Sequence, residues 1–118
     1  MLKRKPIVRA RPLQSFAPVF AALGDETRLR LVAALCVGGA MSITQLTSGT
    51  EISRQAITKH LGVLAAAGLV RDVKSGRERL WEFDPMQLEG ARRRLELIGQ
   101  QWDHALSKLK LAVESDAA

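Results

Sequence analysis

The sequence predicts a mainly α-helical domain with one small β-hairpin. Between residues 13 and 113, several segments repeat apolar residues at three- and four-residue steps, as α-helices do. The stretch SRQAITKHLGVLAAAGL is the clearest of them, because it begins at a capping residue, Ser53, and ends at Gly68. Two short runs of strand-forming residues then flank Ser75-Gly76. A short helix, a tight turn, a second helix and a hairpin in this order make a winged helix-turn-helix.

The composition indicates one folded domain with a polyanionic partner. The chain has 118 residues, 47% of them hydrophobic, which suits a single core. Its formal net charge is +6, which favours nucleic acid among the polyanions. We expect residues 1–12 to form a flexible basic arm and residues 13–118 to form the domain. The cations of the arm are Lys3, Arg4, Lys5, Arg9 and Arg11.

The first two helices are predicted from caps and breakers. Residues 13–23 read as a helix capped by Ser15, with Pro18 tolerated in its first turn, and Gly24 ends it. Asp25 then caps a second helix, which Gly38-Gly39 ends. The apolar residues at helical spacing in this second helix are Leu29, Val32, Leu35 and Cys36. Cys36 is the single cysteine, so the chain has no internal disulfide; it fits a reducing cytoplasm, and we expect it to be a small buried hydrophobe.

The helix-turn-helix follows between residues 42 and 68. Ser42 begins a short helix with Ile43 and Leu46 facing inward, and Gly49-Thr50 makes the turn. In the next helix, the apolar stripe consists of Ile57, Leu61 and Leu64. Its opposite polar face consists of Arg54, Gln55, Thr58 and Lys59. Amide, hydroxyl and cationic side chains at the start of a helix can reach base edges in a DNA major groove.

The wing and the last helix complete the domain. Leu69 and Val70 open the first strand, and Leu80, Trp81 and Phe83 fill the second. The basic residues of the wing, which can hold phosphates, are Arg71, Lys74, Arg77 and Arg79. Asp84-Pro85 then begins a helix from about Met86 to Val113. Its apolar stripe is longer than the wing can cover, so we expect a second copy of the chain to cover it.

The quoted segments resemble a known family. The run ALGDETRLRLVAAL, the run SRQAITKHLGVLAAAGLV and the basic wing together resemble the ArsR-type (arsenic-repressor) transcription regulators, over roughly residues 16–109. The resemblance implies a homodimer built from the first and last helices, which represses an operator. The residues expected at the dimer interface are Phe16, Val19, Phe20, Leu95, Ile98, Trp102, Leu106 and Leu109.

The same resemblance implies that Ser53, Arg54, Gln55, Thr58, Lys59 and His60 lie at the DNA. With Thr44 and Gln45 of the short helix and Lys74, Arg77 and Arg79 of the basic wing, these are the expected DNA-binding residues. His60 matches a histidine that lies close to a phosphate in the family. From the residues alone, His60 lies between the apolar stripe and the polar face, where a histidine satisfied within the protein is an equal alternative.

A metal effector is not expected. The short helix MSITQLTSG lacks the cysteine pair of the best-known family site. Asp103 and His104 are candidate metal ligands on the last helix, but they are adjacent and therefore point about 100° apart. They cannot easily bind one metal ion together. The ending WDHALSKLKLAVE resembles instead the non-metal branch of the family. The alternative is an intersubunit site that uses His104 and Glu114 of both chains.

Other functions fit less well. No phosphate loop, nucleophile elbow or carboxylate pair is present, so we expect neither an enzyme nor a bound cofactor. A winged-helix protein-docking module remains an alternative, although the polar face argues against it. We expect a cytoplasmic, nucleoid-associated protein without a membrane partner, with double-stranded operator DNA as its ligand. An unidentified small-molecule or protein effector remains open.

Overall fold

The computed structural model describes residues 11–116. A 3-10 turn over Leu13–Phe16 leads into five α-helices and a two-stranded sheet. In chain order these are α1 (Ala17–Leu23), α2 (Glu26–Gly38), α3 (Ile43–Thr47), α4 (Arg54–Ala66), β1 (Val70–Ser75), β2 (Glu78–Phe83) and α5 (Met86–Asp116). The winged helix-turn-helix fold predicted from the sequence is therefore confirmed. The basic arm falls almost entirely outside the described residues; only Arg11 and Pro12 lie within them.

Side-chain caps set the starts of three of the helices. The side chain of Asp25 accepts a hydrogen bond from the backbone N–H of Arg28 at 3.0 Å and so caps α2. Ser42 and Gln45 form a reciprocal capping box at the start of α3. The Ser53 hydroxyl accepts from the N–H of Ala56 at 3.1 Å and caps α4. These three caps are where the sequence predicts them.

The beginning of the domain differs from the prediction. Ser15 caps no helix, because its hydroxyl donates to the carbonyl of Pro12 at 2.7 Å within the 3-10 turn. The α-helix begins two residues later, with Pro18 in its first turn as expected. Arg11 packs its guanidinium over the Phe16 ring at 4.3 Å and donates to Gln87 of α5 at 2.5 Å.

The hydrophobic core lies between α1, α2, α4 and the base of the wing. Ile57, Leu61 and Leu64 of α4 are fully buried, as their spacing predicts. The contribution of α2 is different from the prediction, because Leu31, Val32 and Leu35 are buried whereas Leu29 is 50% exposed. Cys36 is exposed, so the expectation that it is buried is wrong. It follows Leu35 directly, and one residue turns a helix by about 100°, which points its thiol away from the core.

The wing is an antiparallel pair in which Val70 pairs with Phe83 and Ser75 with Glu78. This register places Gly76 and Arg77, rather than Ser75-Gly76, at the hairpin turn; we call these two residues the wing tip. Gly76 has a φ of 63°, a conformation that glycine adopts without a steric penalty. Trp81 exchanges backbone hydrogen bonds of 2.7 and 2.9 Å with Met41, so the wing is joined to the loop before α3.

The last helix has 31 residues, and only its first turns pack on the domain. Ala91 is buried and Leu88 is partly buried against the core. From Leu95 to Asp116 every residue is exposed, over a length of roughly 30 Å. An exposed apolar row continues along this segment; we call it the terminal stripe, and it consists of Leu95, Ile98, Trp102, Leu106 and Leu109.

The burial of the first helix narrows the predicted dimer interface. Phe16 and Val19 are only 3% and 2% exposed, because they fill the core of their own protomer. They therefore have almost no surface left for a partner, and their assignment to the interface is corrected. Phe20, one residue after Val19, is 38% exposed and keeps a surface that a second chain could cover.

Candidate nucleic-acid interface

The N-terminal half of α4 presents a continuous polar surface to solvent. We call it the reading face, and it consists of Arg54, Gln55, Thr58 and Lys59, all of them exposed. The three fully buried residues of α4 hold the opposite side of the helix in the core. Helix α4 is therefore held along its apolar side by the core, and its hydrogen-bonding side chains lie on the opposite, exposed side.

Two side chains of the reading face are already engaged within the protein. Arg54 donates to the hydroxyl of Thr44 on α3 at 3.0 Å, which ties the two helices of the motif together. The Thr58 hydroxyl donates to the backbone carbonyl of Arg54 at 2.8 Å. Gln55 and Lys59 make no side-chain hydrogen bond within residues 11–116. These two side chains are therefore available for a ligand without breaking an internal contact.

The predicted contacts on α3 are exposed but partly occupied. The Gln45 side-chain carbonyl accepts from the backbone N–H of Ser42 at 2.9 Å, which leaves its amide nitrogen free to donate. Thr44 accepts from Arg54 as described above. Ser53 uses its hydroxyl oxygen as the cap of α4. These residues shape the edge of the reading face as much as they extend it.

A cleft of about 500 Å³ joins α3 and α4 to the wing. Its charged lining consists of Arg54, Glu78 and Arg79. The reading face and the wing are therefore neighbouring parts of one surface, and the sequence alone does not show that they share a cleft.

The basic residues of the wing differ in how far they are neutralised. Arg79 pairs with Asp72 at 2.8 Å and lies over the ring of Trp81, 5.2 Å from its centre. Arg71 pairs with Glu82 at 2.5 Å, and this contact raises the pKa of its guanidinium. Within the described part of the chain, Lys74 and Arg77 have no carboxylate within ion-pair distance. Their positive charge is therefore the least compensated in the wing.

His60 lies away from the reading face, between α4 and the start of α2. Its Nδ1 is 3.9 Å from a carboxylate oxygen of Asp25 and 3.4 Å from the Arg28 guanidinium. Arg28 also donates to the carbonyl of Ala22 at the end of α1, at 2.6 Å. A backbone hydrogen bond from Arg28 lowers the pKa of Asp25, so this carboxyl is charged at neutral pH. We call Asp25, Arg28 and His60 the cap cluster.

The cap cluster was not predicted from the sequence. Asp25 and Arg28 belong to the run ALGDETRLRLVAAL and His60 to the run SRQAITKHLGVLAAAGLV, and Arg28 and His60 are 32 positions apart in the chain. The interpretation of His60 as a histidine satisfied within the protein gains support from these contacts. A phosphate contact through the rest of its half-buried ring stays a prediction.

The residues considered for a metal do not converge. Within residues 11–116, no three His, Cys, Asp or Glu side chains lie together as a metal ion would need. Asp103, His104 and Glu114 are all exposed along α5. Among the same residues, no helix is long and apolar enough to cross a bilayer.

Comparison with known proteins places this surface in a family context. Residues 23–73 match the family described as a helix-turn-helix domain. The chain is 33% identical over 95 residues to an HTH-type transcriptional regulator of Mycobacterium tuberculosis, a match that covers 80% of this chain and 85% of that protein. It is 36% identical over 67 residues to the arsenical resistance operon repressor of Escherichia coli, covering 57% of each.

The solved structures agree with the sequence comparison. An ArsR-like transcriptional regulator from Rhodococcus sp. RHA1 has a TM-score of 0.74 and 42% identity, and the match covers 83% of this chain and 92% of that one. The segment 23–73 contains the whole of α2, α3 and α4. The reading face and the cap cluster therefore both fall inside the matched domain.

Proposed function

Since this chain belongs to the ArsR family of winged helix-turn-helix transcriptional regulators, we propose that it represses transcription as a homodimer bound to a palindromic operator. It is a DNA-binding regulator and not an enzyme. The observation that carries the proposal is the reading face, a row of exposed polar side chains on a helix that is fixed from behind by three buried residues. We place its action in the cytoplasm, without a metal effector.

The contacts that we propose follow from which side chains are free. Gln55 is exposed and makes no internal side-chain hydrogen bond within the described residues, so it is the first candidate for reading a base. Its side-chain amide can pair with the edge of an adenine. Thr58 is the second. Arg54 and Lys59 contact bases or phosphates, and Lys74, Arg77 and Arg79 hold phosphates at the wing. Thr44, Gln45 and Ser53 support this set at the edge of the groove, and His60 meets a phosphate from the flank.

The terminal stripe supports the homodimer. An apolar row that begins in the core at Leu88 and Ala91 and continues exposed to Leu109 needs a partner to exclude water. A second copy supplies an identical stripe, and a twofold arrangement also duplicates the reading face. Two reading faces then meet half-sites roughly 10 base pairs apart. Phe20 of α1 completes the interface that we propose.

The repressor role rests on the relatives. One of them is named as the repressor of an arsenical resistance operon, and we carry the repressing action, but not the arsenical signal, to this chain. A dimer that covers an operator blocks access of other proteins to that DNA.

The test is fluorescence anisotropy with the purified chain and a duplex from its own upstream region. We expect tight binding that prefers this duplex over a random one and weakens steeply with salt. Gln55→Ala should cost about 1–3 kcal/mol on the preferred duplex and much less on the random one. Zinc and a chelator, added in parallel, should leave both constants unchanged.

The outcomes separate the parts of the proposal. Unchanged binding of both duplexes by Gln55→Ala would show that the reading face is assigned wrongly. Release of the duplex on adding zinc would revive an intersubunit metal site at His104 and Glu114. No preference for any duplex at moderate salt would favour a protein-docking module instead.

A further inference from the structure

Gly62 is an unexpected residue for its position. It lies in the interior of α4, and its side of the helix is exposed. Glycine is less favourable than alanine in a helix interior, because it loses more backbone freedom on folding. Its backbone is ordinary, since the glycines with positive φ are Gly39, Gly49, Gly68 and Gly76. Conformation therefore does not explain the glycine.

Packing within the protein does not explain it either. Among the residues that the structure describes, no atom beyond the adjacent backbone lies within 4 Å of the point where a Cβ of residue 62 would sit. Gly90 is a useful contrast, because a Cβ there would lie 2.9 Å from the Phe16 ring. Gly90 is needed by its own protomer, whereas Gly62 is not.

The position of Gly62 suggests what does require it. Residues three and four apart lie on the same side of a helix, so Gly62 follows Lys59 and Thr58 along the reading face. It lies seven residues after Gln55, or roughly 10 Å farther along the axis. A helix with its side chains is about 10–12 Å across, and the major groove is about 12 Å wide, so the fit leaves little space. With Gln55 at a base edge, the helix at that distance would reach the wall of the groove, which is the sugar-phosphate strand.

We propose that Gly62 is a point of closest approach between α4 and DNA, where the absent side chain lets a sugar-phosphate strand lie against the helix backbone. This inference rests on the proposed function. It assigns to Gly62 a role that no hydrogen bond or charge reveals, because the residue contributes by leaving room. It also implies that a side chain at this position weakens binding to every DNA sequence, since the strand is the same in all.

The test uses Gly62→Ala and Gly62→Leu, both of which favour the helix. Gly62→Ala should raise the melting temperature by several degrees, roughly 4 °C, because alanine is the better helix former. The same variant should weaken binding to the operator duplex and to a random duplex by a similar factor, because contacts to the sugar-phosphate strand carry no sequence information. Gly62→Leu, with the larger side chain, should weaken binding to both duplexes further. Greater stability together with weaker binding separates a DNA contact from damage to the fold.

Val63→Ala is the matched control. Val63 is the next residue of α4, 44% exposed and turned by about 100° from Gly62. This substitution also improves helix propensity but adds no atom beside the reading face, so both dissociation constants should stay within about twofold. A similar loss with Val63→Ala would attribute the effect to the helix as a whole and overturn the inference.

The remaining outcomes are equally decisive. If the unsubstituted chain prefers its operator and Gly62→Ala binds as tightly, the inference is wrong and the proposed function stands. If only the operator duplex loses affinity, Gly62 faces a base edge and the assignment to the strand is wrong. If the unsubstituted chain binds no duplex, the proposed function and this inference fail together.

Discussion

Removing the cation at the wing tip should change the salt dependence of DNA binding in a way that its paired neighbour does not. Arg77 occupies the hairpin turn, and within residues 11–116 no carboxylate lies within ion-pair distance of it. Arg79 is held by Asp72 at 2.8 Å and stacks on Trp81. A phosphate must therefore compete with Asp72 for Arg79, whereas Arg77 is free to bind it. We compare Arg77→Ala with Arg79→Ala.

The magnitude follows from counterion release. Each phosphate contact contributes about 0.9 to the slope of log K against log salt, and a dimer would lose one contact in each protomer. The slope of Arg77→Ala should therefore be shallower by about 1.8. Between about 50 and about 200 mM salt this amounts to about one logarithmic unit, so a defect of roughly tenfold seen at low salt nearly disappears at high salt. The factor should be equal for operator and random duplexes, because phosphates carry no sequence information.

Anisotropy titrations at five or six salt concentrations would measure both slopes, and thermal unfolding would check each variant. Arg79→Ala should flatten the slope less and lower the melting temperature more, because it leaves Asp72 without its partner and uncovers the Trp81 ring. An unchanged slope for Arg77→Ala would refute the assignment of the wing tip to phosphate. A larger change for Arg79→Ala than for Arg77→Ala would show that ion pairing within the wing does not decide which cations meet DNA.

Two further predictions concern α5. Trp102→Glu places a charge in the terminal stripe, where Trp102 is 63% exposed, and should convert the dimer to a monomer in sedimentation velocity and weaken operator binding. Gln100→Glu is the control, because it adds the same charge on the opposite side of the helix and should change neither property. If Trp102→Glu remained dimeric, the terminal stripe would not be the interface. The hydrogen bond from Arg92 lowers the pKa of Glu89 from 4.5 to about 2, so this carboxylate stabilises the fold above about pH 4.5 and the contribution is lost as the pH falls toward 2. Urea denaturation at about pH 6 and about pH 3 should therefore show a smaller loss of stability for Glu89→Gln than for the unsubstituted chain, and equal losses would contradict the ion pair.

Features governed by neighbouring residues were predictable from the sequence. The caps at Asp25, Ser42 and Ser53 depend on a side chain and an N–H three residues later, and all three are in place. The prediction that Ser15 caps a helix was wrong, because its hydroxyl donates to the carbonyl of Pro12 within a 3-10 turn. A capping pattern in the sequence does not reveal such a turn. The hairpin turn lies at Gly76-Arg77, one residue later than predicted, because the pairing of the two strands sets the register.

Features decided by tertiary packing were less predictable. Helix α2 has apolar residues on more than one side, and the sequence does not show which side packs against the core. In the structure Leu31 is buried, whereas Leu29 and Cys36 are exposed to solvent. Phe16 and Val19 were expected at a dimer interface, but the core of the protomer uses them. An apolar pattern shows that a residue needs cover and does not show which surface provides it.

The cap cluster fixes the placement of α4 along its own axis, which apolar packing alone would fix less well. Contacts of Ile57, Leu61 and Leu64 decide which side of the helix faces the core, but such contacts have no preferred direction along the axis. Arg28 adds direction, since its guanidinium meets the last carbonyls of α1 and the His60 ring of α4. Helix α4 is thus held relative to α1, the helix that carries Phe20 toward the proposed partner. In such a dimer the distance between the two reading faces depends on this contact, so loosening it should impair the match to half-site spacing while leaving the preference for each base unchanged.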